Sequence, residues 1–413
     1  MPDRILSRWA KLSVFNLMML AAVGLILRFK IILPLPAVHQ KYLLHAHSHF
    51  AFAGWVSQGL IVIILWIISR YLKMDVNRYR NIFLLSQGSA WGMLLTFPFF
   101  GYALPSIFFS TLHVFMSYLF SWKAWGDIGR SSLPGGITSW FKAALAFNVL
   151  SSAGTFFLAW MMSTGYHDQD LYIGAIYFYL HFQYNGWFLF ALLGMAAHFL
   201  SSGHDQISLI HHRFVFRVFF ITAFPSLFLS MLWMRLPTVI QIIAASGAIL
   251  SLASAALYIW WITKAGRWQA RGIRPVVRRL WGLALIALIL KLMMQSVSAI
   301  PAVSPFAFGY RPIVVGYLHL VLLGFVSFGL LGGLLQTGLL SIHRRRARIG
   351  IGLFIIGVVL NEVLLMIQGV ASIRYESVPG VPTLLFVMAV WIFFGVALLL
   401  IGQMQSKQNL SPD

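Results

Sequence analysis

Apolar runs of about twenty residues recur from one end of this chain to the other, and no soluble fold accommodates them. They lie near Leu12 to Leu33, His45 to Ser69, Ile82 to Leu104, Ser106 to Trp125, Trp140 to Met162, Leu171 to Leu200, Val215 to Met234, Val239 to Ile262, Leu280 to Ile300, Ile313 to Leu340, Ile349 to Ser372 and Val381 to Ile401. Hydrocarbon offers the backbone no hydrogen-bond partner, so each run is expected to close its own bonds as a helix. The reading is an all-α integral membrane protein of about twelve transmembrane helices, with the lipid bilayer as its first partner. Connections this short leave no room for a soluble domain. Residues 1–413 therefore read as one polytopic membrane domain, whose tails are the first dozen residues and the polar stretch after Gln403.

The formal charge of +21 would suggest nucleic acid in a soluble chain, but here the basic residues gather in alternate loops, which is a topology signal. Arg70, Lys73, Arg78 and Arg80 follow the second run. Lys264, Arg267, Arg271, Arg274, Arg278 and Arg279 separate the eighth and ninth, and Arg344, Arg345, Arg346 and Arg348 follow the tenth. These loops are expected on the cytoplasmic side, with both termini, of a bacterial inner membrane, and no nucleic-acid partner is expected. The chain has no cysteine, which excludes disulfides, thiolate haem ligation, iron–sulfur clusters and covalent haem attachment. The N-terminal basic residues lead into a long apolar run without a small-residue cleavage site, so a retained first helix is expected.

Three segments share one pattern. His47-Ser48-His49 precedes Gly54-Trp55, Tyr179-Leu180-His181 precedes Gly186-Trp187, and Tyr317-Leu318-His319 precedes Gly324-Phe325. The last histidines are spaced by about a third of the chain, which suggests internal repeats near 1–137, 138–275 and 276–413. With the expected topology, His49, His113, His181 and His319 fall roughly 5 to 15 Å below the outer surface at about 1.5 Å per helical residue. A lone buried histidine usually bonds a neighbouring helix, and the glycines suit close helix packing. Three in one local motif at similar depth favour ligation or another shared functional site. His113 lacks the following glycine and aromatic.

Histidines on the second, sixth and tenth of twelve helices resemble subunit I of the heme-copper oxidase superfamily, which includes cytochrome oxidases and nitric oxide reductases. The resemblance implies three pseudo-symmetric four-helix arcs. It implies His49 and His319 as axial ligands of a b-type haem, with His47 and His45 as competing ligands since a helix turns roughly 200° between His47 and His49. It also implies a second metal, copper or iron, at His181, with His113 a further candidate. The chain departs from the family where Tyr317 replaces the first histidine of the tenth helix and where the seventh run, Val215 to Met234, lacks an adjacent histidine pair. Tyr317 and Tyr184 are then candidate catalytic hydrogen-bonding groups. His45-Ala46-His47 followed by Phe52 and Gly54 also resembles the His-Ala-His segment of NnrS-type haem- and copper-containing membrane proteins.

The resulting expectation is a redox or diatomic-gas protein, acting on nitric oxide or oxygen, fed by a cytochrome or quinol donor and joined by an accessory subunit. Glu362, with Asn361 and Gln368, is a candidate start of a proton path, and Lys291, Arg28, Lys30, Arg235 and Arg311 are candidate partners for haem propionates. The alternative is a secondary transporter or metal-trafficking protein without haem, which predicts discontinuous helices beside a substrate-sized cavity.

Overall fold

Each apolar run in the sequence coincides with a long helix except the seventh, which breaks partway, and among the described residues there is no strand. The computed structural model describes residues 2–200, 206–234, 236–266, 268 and 272–404. Arg235, Arg267 and Arg271, and the polar tail, lie outside them. The long helices are α1 (Pro2–Ile32), α2 (Gln40–Tyr71), α3 (Val76–Phe100), α4 (Leu104–Arg130), α5 (Gly135–Thr164) and α6 (169–200). Then follow α7 (Gln206–Ala223), α8 (Thr238–Lys264), α9 (Pro275–Ser298), α10 (Arg311–Gln336), α11 (Arg345–Ile373) and α12 (Val381–Met404).

Ten of these helices are long and apolar enough to cross a membrane, or eleven if a bent pair forms one span, against the twelve expected. The shortfall has two physical causes. α6 is helical throughout but carries His181, Gln183, Tyr184 and Asn185 at its centre, which lowers its apolarity. After α7 the chain bends by 45° into a tight turn at Pro225–Met231, where proline has no N–H to continue the helical ladder. The first dozen residues also differ from expectation, since α1 begins at Pro2. Exposed Phe99, Leu104, Trp122, Ile221 and Val239 leave the helices with the apolar exterior of a helical integral membrane protein.

Local chemistry fixes several helix ends. The Asp168 carboxylate caps α6 by accepting from the Leu171 N–H at 2.9 Å, and α5 stops at Gly165, whose φ of 65° closes the helix in the left-handed region.

The chain divides into two compact units, one of Met1–Phe120 with Leu330–Asp413 and the other of Ser121–Gly329. In the first, α11 and α12 pack with backbones in contact. A Cβ added at Gly350 would meet the Gly395 carbonyl at 2.5 Å, and one at Gly395 would meet the Phe354 N at 2.7 Å. Lipid tails are as apolar as leucine, so such close approach and its dispersion energy hold a membrane helix pair together. In the second unit, α5 packs along α6, and α8 packs on the tight turn that follows α7.

Candidate functional site

The three sequence repeats share a backbone feature that no side-chain pattern announces. Each motif histidine is followed at once, or after one residue, by a π-helical turn: Ala51–Ser57 in α2, Phe182–Phe188 in α6 and Leu320–Ser327 in α10. Each turn contains the glycine and aromatic of its motif. A π turn inserts a residue into the ladder, frees backbone groups, and is found mostly as a single-turn bulge at functional sites. In α2 the Gly54 carbonyl accepts from Asn16 Nδ2 at 2.6 Å. The motif aromatics Trp55, Trp187 and Phe325 are buried. The glycines are packing residues, as the plainer reading of the motif expects: a Cβ at Gly186 would stand 2.6 Å from that of Phe147, and one at Gly324 would stand 3.1 Å from that of Ala287.

In the first unit, the three α2 histidines separate by direction. His45 and His49 lie one turn apart on the face toward α3. The His49 ring stacks on Phe97 with centroids 4.5 Å apart, and its Nε2 lies 2.9 Å from the Tyr102 hydroxyl. His45 packs edge-on to the same tyrosine at 4.8 Å. His47 points elsewhere, its Cε1 3.1 Å from where a Cβ of Gly24 on α1 would be. His113 on α4 is held through Nδ1 by Ser89 at 3.2 Å and Ser86 at 3.4 Å, and Ser86 in turn accepts from Gln58 Nε2 at 2.9 Å. Asn16, Gln87 and Trp91 form a second buried polar cluster beside the π turn.

In the second unit, His181 is fully buried within a chain of bonds whose polarity is forced. Its Nε2 lies 2.8 Å from the Ala223 carbonyl, which can only accept, so Nε2 carries the proton. Nδ1 then accepts from Asn185 Nδ2 at 3.1 Å, and the Asn185 carbonyl accepts from Lys291 Nζ. Lys291 has no carboxylate partner among the described residues, so Asn185 relays its positive end to the histidine. Gln183 extends a separate network to Ser151 at 2.8 Å and Asn148 at 3.3 Å. His319 differs in kind. Its Nδ1 donates to the Val315 carbonyl at 2.8 Å, which leaves the lone pair on Nε2, the tautomer that a metal-ligating histidine adopts.

Tyr184 and Tyr317 meet in this unit with ring centroids 6.3 Å apart at 74°, on the wall of a cavity of about 270 Å³. A smaller cavity of about 20 Å³, roughly the room for one water, lies beside Lys291, Thr222, Ser226 and Ser251.

No protein family matches this chain, and no curated protein matches it either. The site's meaning therefore rests on its own geometry. His181, Tyr184, Tyr317 and His319 belong to the second unit, whereas His45, His47, His49 and His113 belong to the first. Among the described residues, no three His, Asp or Glu side chains converge on one point. A metal at His181 would have to displace Asn185 from Nδ1. Asn185 escapes sequence reasoning because amides are ordinary in helices. Lys291 stands out in the sequence, but as a propionate partner.

Proposed function

We propose that this chain is a haem-binding membrane protein of the redox class that handles a diatomic gas, nitric oxide or oxygen, on a heme-copper oxidase-like frame. What supports it above all is the coincidence, in all three repeats, of a histidine with a π turn. A π turn costs regular hydrogen bonds, and its recurrence beside the same residue argues for selection by function rather than by packing.

The donor set fits a b-type haem. The chain lacks cysteine, so only side-chain nitrogen, sulfur or phenolate ligands are open to it. His319 is held by Val315 in the tautomer with Nε2 as the donor. In the first unit, the His49 ring is fixed by stacking on Phe97 and by Tyr102. Haem supplies one-electron transfer and, where a coordination position is open, gas binding. The twelve-span count, the three arcs, cytoplasmic termini, a second metal and an external electron donor belong to the same proposal. Within it, the second metal stays with His181, from whose Nδ1 it would displace Asn185, while the ring's other bond ties α6 to Ala223, the last residue of α7.

A second reading draws on the 45° break before Pro225–Met231. Leu229 and Ser230 of that segment line the 270 Å³ cavity, as a secondary transporter with a broken helix would have it. The two readings part on iron. His319→Ala is expected to abolish the reduced b-type absorption band, whereas His181→Ala is expected to keep it. Loss of the band in both variants, with both folded, would contradict the assignment of roles.

A further inference from the structure

Lys291 on α9 is 2% exposed, so its ammonium lies among the helices of the second unit. An ammonium carries three N–H donors, and among the described residues only the Asn185 carbonyl accepts from this one. Asn185 is neutral and spreads the charge without cancelling it. A cation kept from water is costly unless an opposite charge pairs with it, and no carboxylate of the described residues does so. The two donors that remain have a place to act. Lys291 lines the cavity of about 20 Å³ walled by α6, α7, α8, α9 and the Pro225–Met231 turn, together with Thr222, Ser226 and Ser251. The helix carbonyls that these groups engage are already taken: Ala223 accepts from His181 and Ser226, Val218 from Thr222, and Gly247 from Ser251.

We infer that this small cavity is a site for a monatomic anion of chloride size, which pairs with Lys291. Charge decides the sign, because a negative ion is the partner that a buried ammonium lacks. Room decides the class: space near that of one water holds a single ion and no polyatomic anion such as sulfate or phosphate. Ser226 supplies a further donor. Its bond to the Ala223 carbonyl is long at 3.3 Å, and that carbonyl keeps His181 at 2.8 Å, so the hydroxyl turns to the ion at little cost. Thr222 and Ser251, bonded to each other at 2.7 Å, add to the polar side. Leu189, Phe219, Leu229 and Leu292 form the apolar side, and opposite charges attract more strongly in such a setting than in water. The ion joins α9 to the turn after α7, as Asn185 joins α9 to α6. The inference rests on no part of the haem reading.

The test titrates radioactive chloride into the full chain in phosphatidylcholine nanodiscs, in a gluconate buffer. The expected result is saturable binding of about one chloride per chain, displaced by bromide and not by sulfate at equal ionic strength. Lys291→Met is expected to lose this binding, and Ser226→Ala to weaken it about threefold to tenfold. Ser226→Ala removes a single oxygen and keeps the site testable should Lys291→Met fail to fold. Chloride also ligates metals, so the same affinity is expected in His319→Ala and after treatment with a chelator. A folded chain without saturable binding, whose cavity then holds water only, would overturn the inference. So would displacement by sulfate as readily as by bromide, undiminished binding in folded Lys291→Met or Ser226→Ala, or loss of binding with the metal.

Discussion

His181 and His319 occupy the same place in their motifs and have opposite chemistry. The difference is set by which ring nitrogen meets a backbone carbonyl: Ala223 takes the Nε2 proton of the first, Val315 the Nδ1 proton of the second. The sequence shows that both positions are histidine and shows nothing of these carbonyls, because the partner of a ring nitrogen depends on tertiary placement. Asn185 is the residue on which the His181 chain depends. Asn185→Leu removes the acceptor for Lys291 and the donor to His181 together, and is expected to destabilise the protein by about 1–3 kcal/mol, read from unfolding in denaturing detergent. Adding Lys291→Met should recover part of that loss, since the buried ammonium that lost its partner is then gone. An unchanged unfolding midpoint in Asn185→Leu would show that the chain of bonds carries no energy. The resolution of His45, His47 and His49 is also a residue-scale gain: the 200° turn between neighbours was legible, but which face meets α3 and which meets α1 was not.

At the scale of elements, the apolar runs located the helices, because in a membrane the backbone has no cheaper option. Their edges moved wherever polar residues continue a helix past the hydrocarbon, as at Pro2 in α1 and Arg130 in α4. The π turns left only the recurring histidine, glycine and aromatic as a sign, since a single inserted residue does not disturb an apolar composition. The turn in α10 makes a direct prediction. Deleting Leu323 lets the segment close as regular α-helix: the flanks keep nearly their relative angle, and what is lost is the widened turn and its freed backbone groups beside His319. That deletion is expected to remove the haem signal as fully as His319→Ala, whereas Leu323→Ala retains it. A folded deletion variant with full haem loading would show that the haem reading does not need the π turn. The break between Ala223 and Pro225 was visible as a proline inside an apolar run, and reading that run as an uninterrupted span missed its consequence.

For the whole molecule, composition alone established an integral membrane protein, and ten helices long and apolar enough to cross bear out that coarse reading. The count of twelve did not follow as directly, because α6, which carries much of the candidate site, has polar residues at its centre and falls short of the apolarity of a spanning helix. The division into two units was not legible, since it depends on which helices pack together rather than on where the repeats fall. The central claim, that the repeated histidines serve haem, is tested most directly by one measurement. It is the dithionite-reduced minus oxidised absorption spectrum of the purified full chain, with iron determined on the same sample. Sharp b-type bands with iron near stoichiometric with the chain are the predicted result. A featureless spectrum and no iron, from cells that load haem into a control cytochrome, would contradict the claim and leave the broken-helix transporter reading in its place.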